Sequence, residues 1–194
     1  MSNVFALCTG RCGSTTFARA ASHIVNYTAG HETRATLVGP ERLAYPANHI
    51  EADNRLSWML GRLGAKFGKD ARYVHLLRDP AATARSFEHR WNSSQGIISA
   101  YRDGILMGSD EDKSAICSDY VETVTENIRS FLADKPHRME FRLENAERDW
   151  EQFWGWIGAE GDFAASKGEW STAYNPTPRQ PAIKRWLSRS LQGL

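Results

Sequence analysis

The sequence predicts an α/β protein in which a central parallel sheet carries helices on both faces, a three-layer α/β/α arrangement. Two observations carry this prediction. Short apolar runs alternate with amphipathic helical patterns along the 194 residues. Residues 72–77 (RYVHLL) form a nearly continuous apolar run, as expected of a central parallel strand that is buried on both faces. The length fits a single domain over residues 1–194.

The first 91 residues divide into four strands and three helices, each with a local reason. Residues 3–8 are apolar, and Gly10 and Gly13 then mark a loop before a helical pattern begins. Asp79 is a good helix N-cap and Pro80 a good first helical residue, so a helix is expected to start there. The predicted order is a strand over 3–8, a helix over 14–25, a strand over 27–29, an irregular segment over 33–47, a strand over 49–52, a helix over 54–64, the strand over 72–77 and a helix over 80–91.

The second half of the chain is less regular. Negative charge at Asp110–Asp112 favours a helix N-terminus, and an apolar stripe follows it. Trp150, Phe153, Trp154 and Ile157 recur at helical spacing and are expected in the core. The predicted order is a short helix over 97–107, a helix over 113–133, a strand over 139–143, a helix through 150–157, a broken polar segment over 158–181 and a final amphipathic helix over 182–191.

Composition excludes several classes of protein. The 24 basic residues, 18 of them Arg, and 23 acidic residues give a net charge of +1, which predicts no bulk attraction to nucleic acid or an anionic membrane. No stretch approaches the ~18 consecutive apolar residues of a membrane span, and the start lacks the basic region of a signal peptide. Three cysteines, an odd number, are expected as reduced thiols, which predicts a cytoplasmic protein. The six histidines never pair at helical spacing, so no metal site is expected.

The most informative segment is Thr9–Thr16 (TGRCGSTT), which joins the first strand to the first helix. Its two glycines allow a tight turn and a close approach of the backbone to a ligand. The helix N-terminus offers unpaired N–H groups and a positive dipole end. Three hydroxyl side chains in the first turn and the cation of Arg11 add further donors. These features predict an oxyanion site, and a plain tight turn with a serine cap is the alternative.

The same loop lacks the signatures of two common nucleotide sites. A nucleotide triphosphatase loop needs Gly-Lys-Ser/Thr, and this loop contains no lysine. The Gly-x-Gly-x-x-Gly of dinucleotide-binding proteins is also absent. A divergent nucleotide or small-molecule kinase is therefore an alternative interpretation, and a non-catalytic nucleotide-binding module is another.

Two segments resemble the sulfotransferases that use 3′-phosphoadenosine 5′-phosphosulfate (PAPS), whose fold is similar to that of the P-loop nucleotide kinases. The first loop of that family has the form Lys/Arg-x-Gly-Ser/Thr-Ser/Thr, which Arg11–Thr15 matches. The second motif has an Arg at the end of a central strand and a Ser eight positions later, which Arg78 and Ser86 match. The resemblance covers roughly residues 1–90, and the two motifs in order are more specific than either alone.

The resemblance implies a role for each matching residue. The group that would bind the donor's 5′-phosphosulfate is Arg11, Cys12, Gly13, Ser14, Thr15 and Thr16. Arg78 and Ser86 would bind the 3′-phosphate, and Arg11 would also stabilise charge on the leaving phosphate. The reaction would need no metal and would release adenosine 3′,5′-bisphosphate (PAP). Two features depart from many members: Thr16 stands where they have Trp, and Lys167-Gly168 where they have Arg-Lys-Gly.

Transfer to an acceptor also needs a base, and three residues are candidates. His31 and Glu32 follow the second predicted strand, at the edge where such sheets place their sites. His49 begins the third predicted strand, a location similar to that of the catalytic histidine of the cytosolic sulfotransferases. Glu32 is similar to the carboxylate that glycan-modifying members use. The choice among the three stays open.

The sequence does not select the acceptor, which would be a hydroxyl or amine of a small molecule, a lipid or a carbohydrate. The irregular segments 33–48 and 92–112 are expected to supply its pocket. The aromatic residues in or directly beside them are Tyr45, Trp91 and Tyr101, whereas nearby Trp58 is expected in the core. A second copy of the chain is a candidate partner, and neither nucleic acid nor a membrane is.

Overall fold

Five parallel strands form the centre of the molecule and confirm the predicted α/β class. The structure is a computed structural model that describes residues 2–94, 96–172 and 174. The strands are β1 (Val4–Leu7), β2 (Thr28–His31), β3 (His49–Ala52), β4 (Arg72–Leu77) and β5 (Arg138–Arg142).

The strand order β2-β3-β1-β4-β5 creates a crevice beside the central strand. From β1 the chain runs to β2 and β3 on one side, and it then crosses to β4 and β5 on the other. Because all strands are parallel, the carboxyl ends of β1 and β4 lie next to each other at the same edge. In open α/β sheets this point, where the strand order reverses, is where ligands bind.

Helices cover both faces of the sheet. The longer ones are amphipathic, and α5 begins where the Asp112 carboxylate accepts hydrogen bonds from the N–H groups of Ser114 and Ala115. The helices are α1 (Ser14–Ala21), α2 (Leu60–Phe67), α3 (Pro80–Glu88), α4 (Ile97–Ala100), α5 (Lys113–Leu132), α6 (Ala146–Ile157) and α7 (Phe163–Gly168).

Two hydrophobic clusters fill the spaces between the sheet and its helices. Phe5 and Leu7 of β1 pack into one cluster, with residues of α2, α3 and α5. The alternate residues Val4 and Ala6 pack into the other, with residues of α1 and α6. Such alternation along a strand that is buried on both faces produces three layers. The aromatic stripe of α6 is core as predicted, since Trp150 and its neighbours at helical spacing line the second cluster.

Two predicted helices differ in extent from the observed ones. Helix α1 ends at Ala21 instead of residue 25, because Ile24 forms a bridge with Gly161 and the Val25 N–H donates to the Glu160 carbonyl at 2.7 Å. The helix predicted over 54–64 is instead a 3-10 turn over Asn54–Trp58 followed by α2.

Helices α4 and α7 depart from the prediction for the second half. Helix α4 is a single turn that continues into a π turn over Tyr101–Ile105, where one helix over 97–107 is predicted. Helix α7 lies in a segment predicted to be irregular. The helix predicted over 182–191 lies outside the described residues. Of the helices that the structure describes, none is both long and apolar enough to cross a membrane.

Candidate functional site

The loop after β1 reaches the crevice with a strained, compact backbone. Gly10, Arg11 and Gly13 all have left-handed conformations, with φ of 85°, 60° and 91°. A Cβ atom on Gly13 would lie 2.8 Å from Cδ1 of Leu143, the end of a flexible side chain that can move, so it is the positive φ that favours glycine at this position. The left-handed φ of Arg11, a residue with a side chain, is a costly conformation of the kind that concentrates at functional sites.

The loop delivers donors to one end of α1. The first-turn N–H groups of any helix have no acceptor inside the helix. In α1 no side chain caps them either. Ser14 and Thr15 line a cleft of about 280 Å³ at this point. Cys12 and Thr16 are buried and their side chains do not line it. Of the loop residues predicted to bind a donor, these two have their side chains in the interior of the protein.

The two motifs predicted to bind one ligand meet in space. Arg11 Nε donates a hydrogen bond to Ser86 Oγ at 3.0 Å, across 75 positions of sequence. Arg78 Nη1 donates to the backbone carbonyl of Arg11 at 3.1 Å. The end of β4 and the first turns of α3 thus lie against the loop after β1, and two guanidinium groups and a hydroxyl share one corner of the crevice.

The electrostatics of this corner favour an anion. Burial lowers the pKa of Arg11, and the positive charges of Arg90 and Arg78 lower that pKa further. A group of like charges around a half-buried guanidinium is unfavourable by itself, and a bound anion would relieve the repulsion. The corner therefore has the character of an anion site.

Two of the three candidate bases line the cleft. His31 Nε2 lies 3.1 Å from Ser14 Oγ, which connects the end of β2 to the loop. The Glu32 carboxylate forms an ion pair with Arg55, and both residues line the same cleft. Glu32 also has a left-handed backbone, with φ of 53°. The arginine fixes the carboxylate in place on the cleft wall.

His49 occupies a different environment. It is buried and does not line the cleft. Its Nδ1 lies 2.8 Å from Thr28 Oγ1 and its Nε2 2.8 Å from Glu51 Oε2, so both ring nitrogens are engaged. The Tyr45 ring stacks on the imidazole at 5.3 Å between centroids. The structure therefore does not bring His49 together with the loop residues.

Several cleft residues are not among the site residues predicted from the sequence. Asn54 and Arg55 follow β3 directly, and their place at the carboxyl end of a parallel strand was the available signal. Arg90 follows Ser86 by four positions, one helical turn, which was a weaker signal. The segment 92–112 supplies Ser93 and residues 96–98 to the cleft, whereas the segment 33–48 supplies none of its described lining.

The aromatic and C-terminal candidates lie elsewhere. Tyr45 and Tyr101 are buried, and Trp58, which is predicted to be core, is 38% exposed, so that prediction is wrong. Lys167, which stands where many sulfotransferases have an Arg-Lys-Gly segment, lies 3.5 Å from Glu147. The Arg102 guanidinium lies over the Trp91 ring, 4.6 Å from the ring centroid. None of these five side chains is part of the described cleft lining.

Comparison with known proteins supports the fold. The sequence matches no known family profile and no curated protein. Among solved structures, the chain is similar to the sulfotransferase domain from the curacin biosynthetic pathway, with a TM-score of 0.62 and 13% sequence identity. The match covers 83% of this chain and 75% of that one. The chain therefore has a sulfotransferase-like fold, as the resemblance of its two motifs implies.

Proposed function

We propose that the protein is a sulfotransferase that transfers a sulfuryl group from PAPS to a hydroxyl or amine of a small-molecule, lipid or carbohydrate acceptor. The observation that carries this proposal is the meeting of Arg11, Ser86 and Arg78 at the carboxyl ends of β1 and β4. Two separate anion-binding motifs in one corner suit a donor with two separate phosphate positions. The sulfotransferase-like fold supports the same interpretation.

The residues of the corner fit such a donor. Gly10 lines the cleft, and a Cβ at that position would lie 3.0 Å from Nδ2 of Asn54, another cleft residue. The N-terminus of α1, with its unpaired N–H groups and positive dipole end, follows this loop. We assign the 5′-phosphosulfate to this loop and to Arg11. We assign the 3′-phosphate to Arg78 and Ser86, since a guanidinium and a hydroxyl suit a phosphate monoester.

The cleft residues suit the remaining steps. When bound, the donor supplies a sulfuryl group that is already activated by its phosphate leaving group. We assign Glu32 as the base that accepts the proton of the acceptor hydroxyl, held in place by Arg55. Arg11 would stabilise the charge that grows on the phosphate oxygen as the sulfur–oxygen bond to it breaks. His31 would hold the Ser14 hydroxyl in place.

A transfer assay tests this proposal. The protein is incubated with labelled PAPS and a broad panel of hydroxyl and amine acceptors. The buffer contains a chelator that removes divalent metals. We expect sulfated product and PAP in equal amounts. Magnesium-dependent consumption of ATP, together with no transfer to any acceptor, would instead favour the kinase interpretation.

A further inference from the structure

Arg90 is a cleft residue that the proposed reaction does not use. It lies two positions after the end of α3, in a turn where its N–H donates to the Phe87 carbonyl at 2.8 Å. Its side chain is exposed and lines the cleft. Within residues 2–94, 96–172 and 174, the Arg90 guanidinium makes neither an ion pair nor a side-chain hydrogen bond.

The charges of the cleft leave Arg90 without compensation. Arg11, Arg55 and Arg90 line it, and Glu32 is the single carboxylate in its described lining. Glu32 is paired with Arg55. Arg90 is close enough to Arg11 for its charge to lower the pKa of Arg11. The cleft therefore carries an excess of positive charge that an anionic ligand would balance.

The position of Arg90 separates it from the 3′-phosphate residues. Arg78 and Ser86 are not part of the described cleft lining, whereas Arg90 shares that lining with Glu32, the base we assign. Arg11, Ser14 and Thr15 line the same cleft and have the phosphosulfate as their assigned ligand, which leaves Arg90 for a charged group of the acceptor. Phe87, Ile97 and Ile98 also line the cleft and offer apolar contact to a carbon skeleton.

We infer that the acceptor is an acid: a hydroxylated or aminated molecule whose carboxylate or phosphate group binds Arg90. This inference rests on the proposed function, and it narrows the acceptor from any alcohol or amine to an anionic one. An arginine is well suited to the task because its planar guanidinium binds either oxyanion with two parallel hydrogen bonds. Arg90 would then be a specificity-determining residue.

Two matched pairs of probes test the inference by calorimetry on the protein saturated with PAP. One pair is 4-hydroxyphenylacetate and its neutral amide, and the other is glycerol 3-phosphate and glycerol. We expect the protein to prefer the anion of at least one pair, and the preferred pair identifies a carboxylate or a phosphate. Arg90→Gln should reduce that preference by about tenfold, the scale of a charged hydrogen bond, and Arg90→Lys should retain part of it.

Arg85→Gln is the matched control, because Arg85 is an exposed arginine on α3 outside the described cleft lining. It should leave the preference unchanged. Equal binding of each anion and its neutral partner by the unmodified protein, or binding of neither, would overturn the inference. So would a loss of PAP affinity in Arg90→Gln that matches the loss in Arg78→Ala, since Arg90 would then be a donor ligand. Failure of the unmodified protein to bind PAP would contradict the proposed function instead, and the probe pairs can still be compared on the free protein.

Discussion

Left-handed backbone at residues other than glycine is concentrated at the cleft. Of the four such residues in the described part of the chain, Arg11 and Glu32 both line it. Each costs about 1–3 kcal/mol and persists only where surrounding contacts enforce it. Arg11 is held by Ser86 and by the Arg78 contact to its carbonyl, and Glu32 by Arg55. The backbone strain is thus found at two residues whose side chains we assign chemical roles.

Gly13→Ala should destabilise the protein and weaken donor binding. The left-handed φ of 91° opposes a Cβ there, and the Leu143 side chain, 2.8 Å away, would also have to shift. We expect a loss of about 1–2 kcal/mol in the free energy of unfolding by urea denaturation. Gly155→Ala is the control, since nothing lies within 4 Å of a Cβ in that helix, and it should be neutral or slightly stabilising. Equal effects of the two variants would show that the loop conformation is not required.

Glu32→Gln should abolish most of the transfer activity while it preserves the binding of PAP. An amide is close to a carboxylate in shape but cannot accept the acceptor proton, so kcat should fall by about 10²–10⁴-fold. His31→Gln should have a smaller effect on kcat, because His31 contacts the loop. Initial rates at saturating PAPS provide the measurement. A larger loss of kcat in His49→Gln than in Glu32→Gln would move the role of base to His49.

At the scale of the elements, strand β4 contains a buried titratable group at its centre. His75 is 2% exposed, and its Nε2 has no hydrogen-bond partner among the described residues. The sequence predicts a core histidine at this position, and the burial agrees, although one nitrogen is left unsatisfied. Burial lowers the pKa of His75 to about 4, partly opposed by the charge of Glu140. Protonation of the buried His75 in acid is therefore expected to destabilise the folded protein at strand β4.

The free energy of unfolding should decrease as the pH falls from about 6.5 to about 4, because the unfolded chain takes up a proton on His75 and the folded chain does not. This contribution is fully present above the unfolded pKa and amounts to about 3 kcal/mol. Urea denaturation across this range measures it. His75→Gln should flatten the decrease relative to the unmodified protein. Parallel curves for the two proteins would show that His75 titrates normally in the fold.

Elements that depend on local signals could be predicted from the sequence. Helix α3 begins as the Asp79-Pro80 pair predicts, and Asp79 Oδ1 accepts from the Ala82 N–H at 2.7 Å. Helix α1 ends early because of contacts with residues near position 160, which no local pattern reveals. Tertiary contacts therefore set the element boundaries that the sequence misplaced.

The candidate site divides in the same way. Arg11, Arg78 and Ser86 follow a spacing that can be read directly, and the fold brings them together. The segment 33–47 looked irregular, yet it buries Arg42 completely against Asp53 at 2.5 Å. Burial raises the pKa of Asp53, and the charge of Arg42 opposes that rise. Asp53 Oδ1 also accepts from the N–H of the cleft residue Arg55 at 2.8 Å, and no local sequence pattern predicts that Arg42 pairs with Asp53 across the intervening loop.

At the scale of the whole molecule, the chain is nearly neutral, yet several arginines lie together in one crevice. The net charge is +1, yet Arg11, Arg78 and Arg90 interact at the edge where β1 and β4 end. The strand order places the two motifs side by side, and the cleft beside them holds the base that we assign. The fold thereby assembles residues that lie far apart in the sequence into one site, which we propose binds a doubly phosphorylated donor and its acceptor.

The most direct test of this account is a calorimetric titration of the protein with PAP and with AMP in the absence of divalent metals. The unmodified protein should bind PAP more tightly than AMP, since we assign the additional 3′-phosphate to Arg78 and Ser86. Arg78→Ala should reduce that preference by about 1.5–3 kcal/mol, the scale of a charged hydrogen bond. Equal affinity for PAP and AMP in the unmodified protein would contradict the assignment of the site.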